Sequence, residues 1–171
     1  NRAPTIASVV VAPTTLRQGD SASCAVGDIV DADGDPIELS WSWTVDDAAA
    51  GTEMDLVDVP LVRGMELGCS ATATDDEGAS TTVHSATVTV GNTPPTPPEL
   101  VITATDQDPG TELLCDVVVE GEDADGDPLS YVFIWSVDGA PTPYSDAILP
   151  AGTSGFNEVW GCAARSFDGI D

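Results

Sequence analysis

Along this chain apolar and polar positions trade places over short distances. Ile6–Val11, Ala22–Val26, Ile37–Val45 and Ala86–Val90 are β-branched or alternate apolar with polar residues, and Gly, Pro and Asp separate them. That pattern predicts short strands, and no stretch has a convincing helical period. Leu39, Trp41 and Trp43 recur at every second position, as do Tyr131, Phe133 and Trp135. Each trio therefore shares one face of its strand, and that face is expected to be core.

The strand pattern occurs twice. Asp31–Pro36 reads DADGDP and returns letter for letter at Asp123–Pro128. A gapless alignment of Asn1 onto Asn92 brings Pro4 onto Pro95, Gly19 onto Gly110 and Cys24 onto Cys115. With one residue inserted, Trp43 falls on Trp135 and Asp46 on Asp138, and with a second, Cys69 falls on Cys162 and Asp75 on Asp168. The 171 residues are thus expected to form two domains, 1–91 and 92–171, joined through 92–98, NTPPTPP, which is proline-rich enough to be extended and semi-rigid. Only nine residues follow Cys162, against 22 from Cys69 to Gly91, so the second domain is expected to lack its last strand and to receive one by β-addition or to continue in a longer array.

In both copies a cysteine precedes a tryptophan by 19 or 20 residues and a second cysteine by 45 or 47. This is the spacing of an immunoglobulin-type sandwich, whose disulfide lies against the tryptophan of its third strand. Four cysteines allow three pairings, and the repeat favours Cys24 with Cys69 and Cys115 with Cys162. Crosslinks closing loops of that size stabilise by roughly 4 kcal/mol at the upper end. A metal or redox role for the thiols is the alternative, but no Cys-x-x-Cys pair exists. Paired disulfides point to an oxidising compartment.

The Asn-x-x-Pro openings at Asn1 and Asn92, the DGDP loops running into DPIELSWSWTVDD and DPLSYVFIWSVDG, and the acidic turns in CSATATDDEG and CAARSFDG together resemble tandem bacterial immunoglobulin-like repeats. These are akin to the polycystic-kidney-disease-type and cadherin-like modules of large secreted and cell-surface proteins. The resemblance covers the whole chain. Leu67 and Trp160 stand two residues before the second cysteine of each copy, where a tyrosine corner would hold Tyr, which argues against an antibody-type domain.

Thirty acids against four arginines, with no lysine, give a formal charge of −26. Such a surface repels nucleic acid and anionic membranes. Lacking lysine, the chain has no Lys–Asn isopeptide crosslink, Schiff base or P-loop. No apolar run reaches the roughly 20 residues of a membrane span. The single histidine, His84, sits in a Thr/Val/Ser strand pattern without a counterpart in the second copy, so an enzyme is not expected.

The acids cluster in the loops. In an immunoglobulin-like sandwich the DADGDP loop, the acidic turn after the second cysteine and the start of the domain share one pole. Asp31, Asp33, Asp35 and Asp75 would form one site of hard oxygen ligands. Asp123, Asp125, Asp127 and Asp168, with Asn92 from the linker, would form a second, at the domain junction. Asp28, Asp76 and Glu77 are auxiliaries. Calcium is the expected ion, although a metal-free Asp/Gly turn is the simpler reading of each loop. An EF-hand is ruled out, because Ser42 and Ile134 stand where its bidentate Glu would be.

The expected function is a structural repeat of an extracellular fibre, filament or adhesin stalk, joined head to tail to copies of itself or to neighbouring repeats. An accessory ligand- or carbohydrate-binding module of a secreted enzyme is the alternative.

Overall fold

The computed structural model describes residues 1–104, 108 and 110–170. They form strands and no helix, and the chain folds as two compact units, Asn1–Thr93 and Pro94–Asp171.

Unit 1 contains β1 (Thr5–Ile6), β2 (Val9–Ala12), β3 (Ala22–Val26), β4 (Ile29–Val30), β5 (Ile37–Val45), β6 (Ala48–Gly51), β7 (Asp55–Leu56), β8 (Glu66–Asp75), β9 (Ser80–His84) and β10 (Val88–Thr89). One sheet has the order β2-β3-β7; the facing sheet runs β6-β5-β8, with both β9 and β10 on the far edge of β8. All these pairings are antiparallel, and the short β1–β4 pair lies apart from them. The Cys24–Cys69 disulfide ties β3 to β8, one sheet to the other, over a Cα–Cα distance of 6.0 Å.

The period-two reading of β5 holds: Trp43 is 1% exposed, and Leu39 and Trp41 pack against the same core as Val11, Leu16, Leu67 and Val90. The indole N–H of Trp43 donates to the Glu53 carbonyl at 3.0 Å, so the largest buried side chain leaves no unpaired donor. The expected single strand Ile6–Val11 is two strands. Between them Ala7 N–H donates to the Asp28 carbonyl and Gly27 N–H to that of Ser8, which carries the chain from the β4 edge to the β3 edge.

Unit 2 repeats the plan with β11 (Glu99–Ala104), β12 (Leu113–Val119), β13 (Ser130–Val137), β14 (Ala140–Pro141), β15 (Ile148–Leu149) and β16 (Trp160–Phe167). Its sheets are β11-β12-β15 and β14-β13-β16, bridged by Cys115–Cys162. Trp135 is fully buried and its N–H donates to the Asp146 carbonyl at 2.8 Å, the counterpart of the Trp43 bond. Among the described residues no strand lies beside β16 opposite β13, where β8 of unit 1 has β9 and β10. The core is correspondingly slimmer: Cys115, Trp135 and Leu149 are its buried residues, with Leu100, Leu113, Phe133 and Trp160 half-buried around them.

Candidate metal centre

The acidic loop follows β4 in unit 1 and β12 in unit 2, and leads into β5 or β13. Its glycine has left-handed φ, 83° at Gly34 and 80° at Gly126, a conformation in which a Cβ costs about 1 kcal/mol or more. That turn lets alternate aspartates point the same way. In both loops three carboxylate oxygens come within 4.8 Å of one another, from Asp31, Asp33 and Asp35 in unit 1 and from Asp123, Asp125 and Asp127 in unit 2.

The first aspartate of each loop is held by its own backbone. Asp31 Oδ1 accepts the N–H groups of Asp33 (2.7 Å), Gly34 (2.9 Å) and Asp35 (3.3 Å); Asp123 Oδ1 accepts that of Asp127 (3.0 Å). The other oxygen, Asp31 Oδ2 or Asp123 Oδ2, is buried and has no hydrogen-bond partner. Leaving a buried acceptor unsatisfied costs about 1–3 kcal/mol, and more for a charged one. The same orphaned oxygen occurs in both repeats, beside two further carboxylates.

Repulsion among these acids is visible at Asp35. Burial, and then the charges of Asp76, Asp31, Asp33 and Asp75, push its carboxyl above the ordinary aspartate value of 3.8. Asp75, 5% exposed, moves the other way. Burial raises it, but the Asn1 side-chain amide and the N–H groups of Ala79, Glu77 and Gly78 outweigh that and hold it below 3.8. Its Oδ2 accepts from Asn1 Nδ2 at 2.9 Å, and its Oδ1 from Ala79 N at 2.8 Å and Glu77 N at 3.0 Å. Arg2 N–H donates to Asp33 Oδ2 at 2.8 Å. The first residues, the DADGDP loop and the turn after β8 therefore meet at one pole.

Unit 2 has the same convergence in other residues. Thr96 exchanges hydrogen bonds with Glu122, and its carbonyl accepts from Ser166 Oγ at 2.7 Å. Asp168 is 7% exposed, and its Oδ1 accepts the N–H of Ile170 at 2.7 Å. Asp75 and Asp168 thus lie outside the two tight triplets. Asn92 belongs to unit 1, where its Oδ1 accepts from Arg63 Nη1 at 2.7 Å.

A donor set made only of carboxylate oxygens fits a hard cation such as calcium, which takes six to eight oxygens at about 2.3–2.6 Å. Asp76 matters more than its auxiliary place in the sequence reading: after burial, its charge has the largest effect on Asp35. The adjacent acids of DDEG were the signal for it. Gly169 stands at the equivalent place in unit 2, so the second site lacks that carboxylate. His84 lies exposed on β9, opposite Ser70.

No protein-family model matches the chain, and no curated protein sequence does either.

Proposed function

We propose that the chain is a structural repeat segment of an extracellular fibre, filament or adhesin stalk, whose two acidic loops bind calcium. The observation that carries this reading is the pair of buried, partnerless oxygens, Asp31 Oδ2 and Asp123 Oδ2, each set in a triplet of carboxylates at the same place in both repeats. Each loop is hydrogen-bonded to the first residues of its own unit, so an ion there would pin the entering strand to that unit. The disulfides belong to an oxidising compartment outside the cytosol, and no described helix is long and apolar enough to cross a membrane. Units of this kind would join head to tail with copies of themselves or with neighbouring repeats, and the edge of β16 that has no partner strand among the described residues offers a place for strand complementation.

For the carbohydrate-module alternative, whose sugar-stacking candidates are Trp41, Trp43 and Trp135, Trp43 and Trp135 are fully buried and bonded to backbone carbonyls, while Trp41 is half-buried and its indole N–H has no partner among the described residues. Calcium titration calorimetry tests the proposal. Two ions per chain are expected, Asp31→Asn and Asp123→Asn each removing one. No heat above dilution, or binding untouched by either variant, contradicts it.

A further inference from the structure

The two repeats share their core but not the outer faces of their sheets. On unit 1 the face formed by β5 and β8 is a hydroxyl surface, with Ser42 bonded to Ser70 and Thr72 to Thr82, both at 2.8 Å. In unit 2 the aligned positions change character: Ser40 becomes Val132, Ser42 Ile134, Ser70 Ala163, Thr72 Arg165 and Thr74 Phe167. Val132 is 51% exposed and Ile134 50%; Val132 pairs across the strands with Arg165, and Ile134 with Ala163. One of only four cations in the chain thus stands exposed in an apolar patch, and it forms no ion pair among the described residues.

The opposite outer face of unit 2, on β11 and β12, has changed in the complementary sense. Val101 (46% exposed) and Val118 (53%) flank Asp116, and Val101 and Asp116 are direct cross-strand partners. The aligned pair in unit 1 is Val10 and Ala25, without charge. Unit 2 alone therefore carries an apolar face centred on a cation and, on its other side, an apolar face centred on an anion.

We infer that unit 2 stacks sheet face on sheet face with a second copy of this chain, the Arg165 face of one copy meeting the Asp116 face of the next. A two-fold pairing of like faces would set Arg165 against Arg165 and Asp116 against Asp116. The contact is consequently heterologous, and heterologous contacts propagate instead of stopping at a dimer. A two-stranded face is smaller than the roughly 800 Å² per partner of a stable pair, so each contact is weak and gains strength where copies are held side by side. The net charge of −26 opposes it until salt screens the repulsion. Stacking of this sort joins segments sideways, in addition to any end-to-end joining, and uses none of the proposed calcium ligands.

Sedimentation equilibrium of the full chain at about 0.3 M ionic strength tests it. The weight-average mass is expected to keep rising with concentration up to about 1 mM. Arg165→Asp or Asp116→Arg alone should weaken association about tenfold, and the two together should restore it to within about threefold. Val132→Ser with Ile134→Ser, the residues unit 1 carries, should weaken it as the single charge changes do. Should a reversed charge impair folding, Arg165→Thr and Asp116→Ala, again unit 1's own residues, replace the single variants. A chain that stays monomeric, a mass that levels at the dimer, or a charge swap that fails to rescue well-folded single variants overturns the inference. The same pattern is expected in calcium and in EDTA, so loss of the calcium reading leaves this one standing.

Discussion

Backbone geometry accounts for residues on which the alignment is silent, and for one pair that it marks only as identical. Asp46 and Asp138 begin two-residue hairpin loops, both with φ 49°, and their Oδ1 atoms accept from Glu66 N and Val159 N at 2.9 and 3.0 Å. The second loop position has φ 64° at Asp47 and 80° at Gly139. A type I′ hairpin favours glycine there, so Asp47→Gly should stabilise unit 1 by about 0.5–1 kcal/mol, read by urea denaturation. Gly121 is constrained by proximity: a Cβ would run into the Thr96 carbonyl and the Ser166 hydroxyl. Gly121→Ala should cost about 1–3 kcal/mol and displace the chain at the acidic pole; an unchanged melting profile would show that the pole gives way freely.

Among the strands, β8 and β16 occupy equivalent places with different neighbours. β8 is hydrogen-bonded along both edges, to β5 and to β9 and β10, whereas among the described residues β16 is bonded only to β13. Amide exchange should therefore protect nearly every residue of β8 but only alternate residues of β16, and uniform protection of β16 would show that a strand has been added to its edge. The cysteine–tryptophan spacing and period-two pattern made most of this architecture legible: β3 and β5 have the expected limits, and both disulfides form as the repeat suggested. The break between β1 and β2 was hidden because Ile6–Val11 is mostly β-branched and holds no Gly, Pro or Asp to interrupt it, and its cause lies in bonds to Asp28 and from Gly27, distant in sequence. At the acidic pole the triplets were readable, since their members are two residues apart, and the meeting of Asn1 with Asp75 follows the shared pole expected of the sandwich. The Arg63–Asn92 bond within unit 1 was not readable, because it joins residues 29 positions apart.

For the molecule as a whole, a charge of −26 is an electrostatic burden that compactness increases. Cations held at the acidic loops, as proposed, would relieve it where three carboxylates crowd together, and the slimmer core of unit 2 would have more need of that relief. Any ligand that binds only the folded state stabilises it, by about 2.7 kcal/mol at a hundredfold excess over its dissociation constant. Scanning calorimetry in calcium and in EDTA, on the native chain and on Asp31→Asn and Asp123→Asn, addresses both sites together. Calcium is expected to raise the melting temperature of both units, with Asp31→Asn abolishing the shift in unit 1 and Asp123→Asn that in unit 2. Superimposable curves with and without calcium would contradict metal binding by these loops.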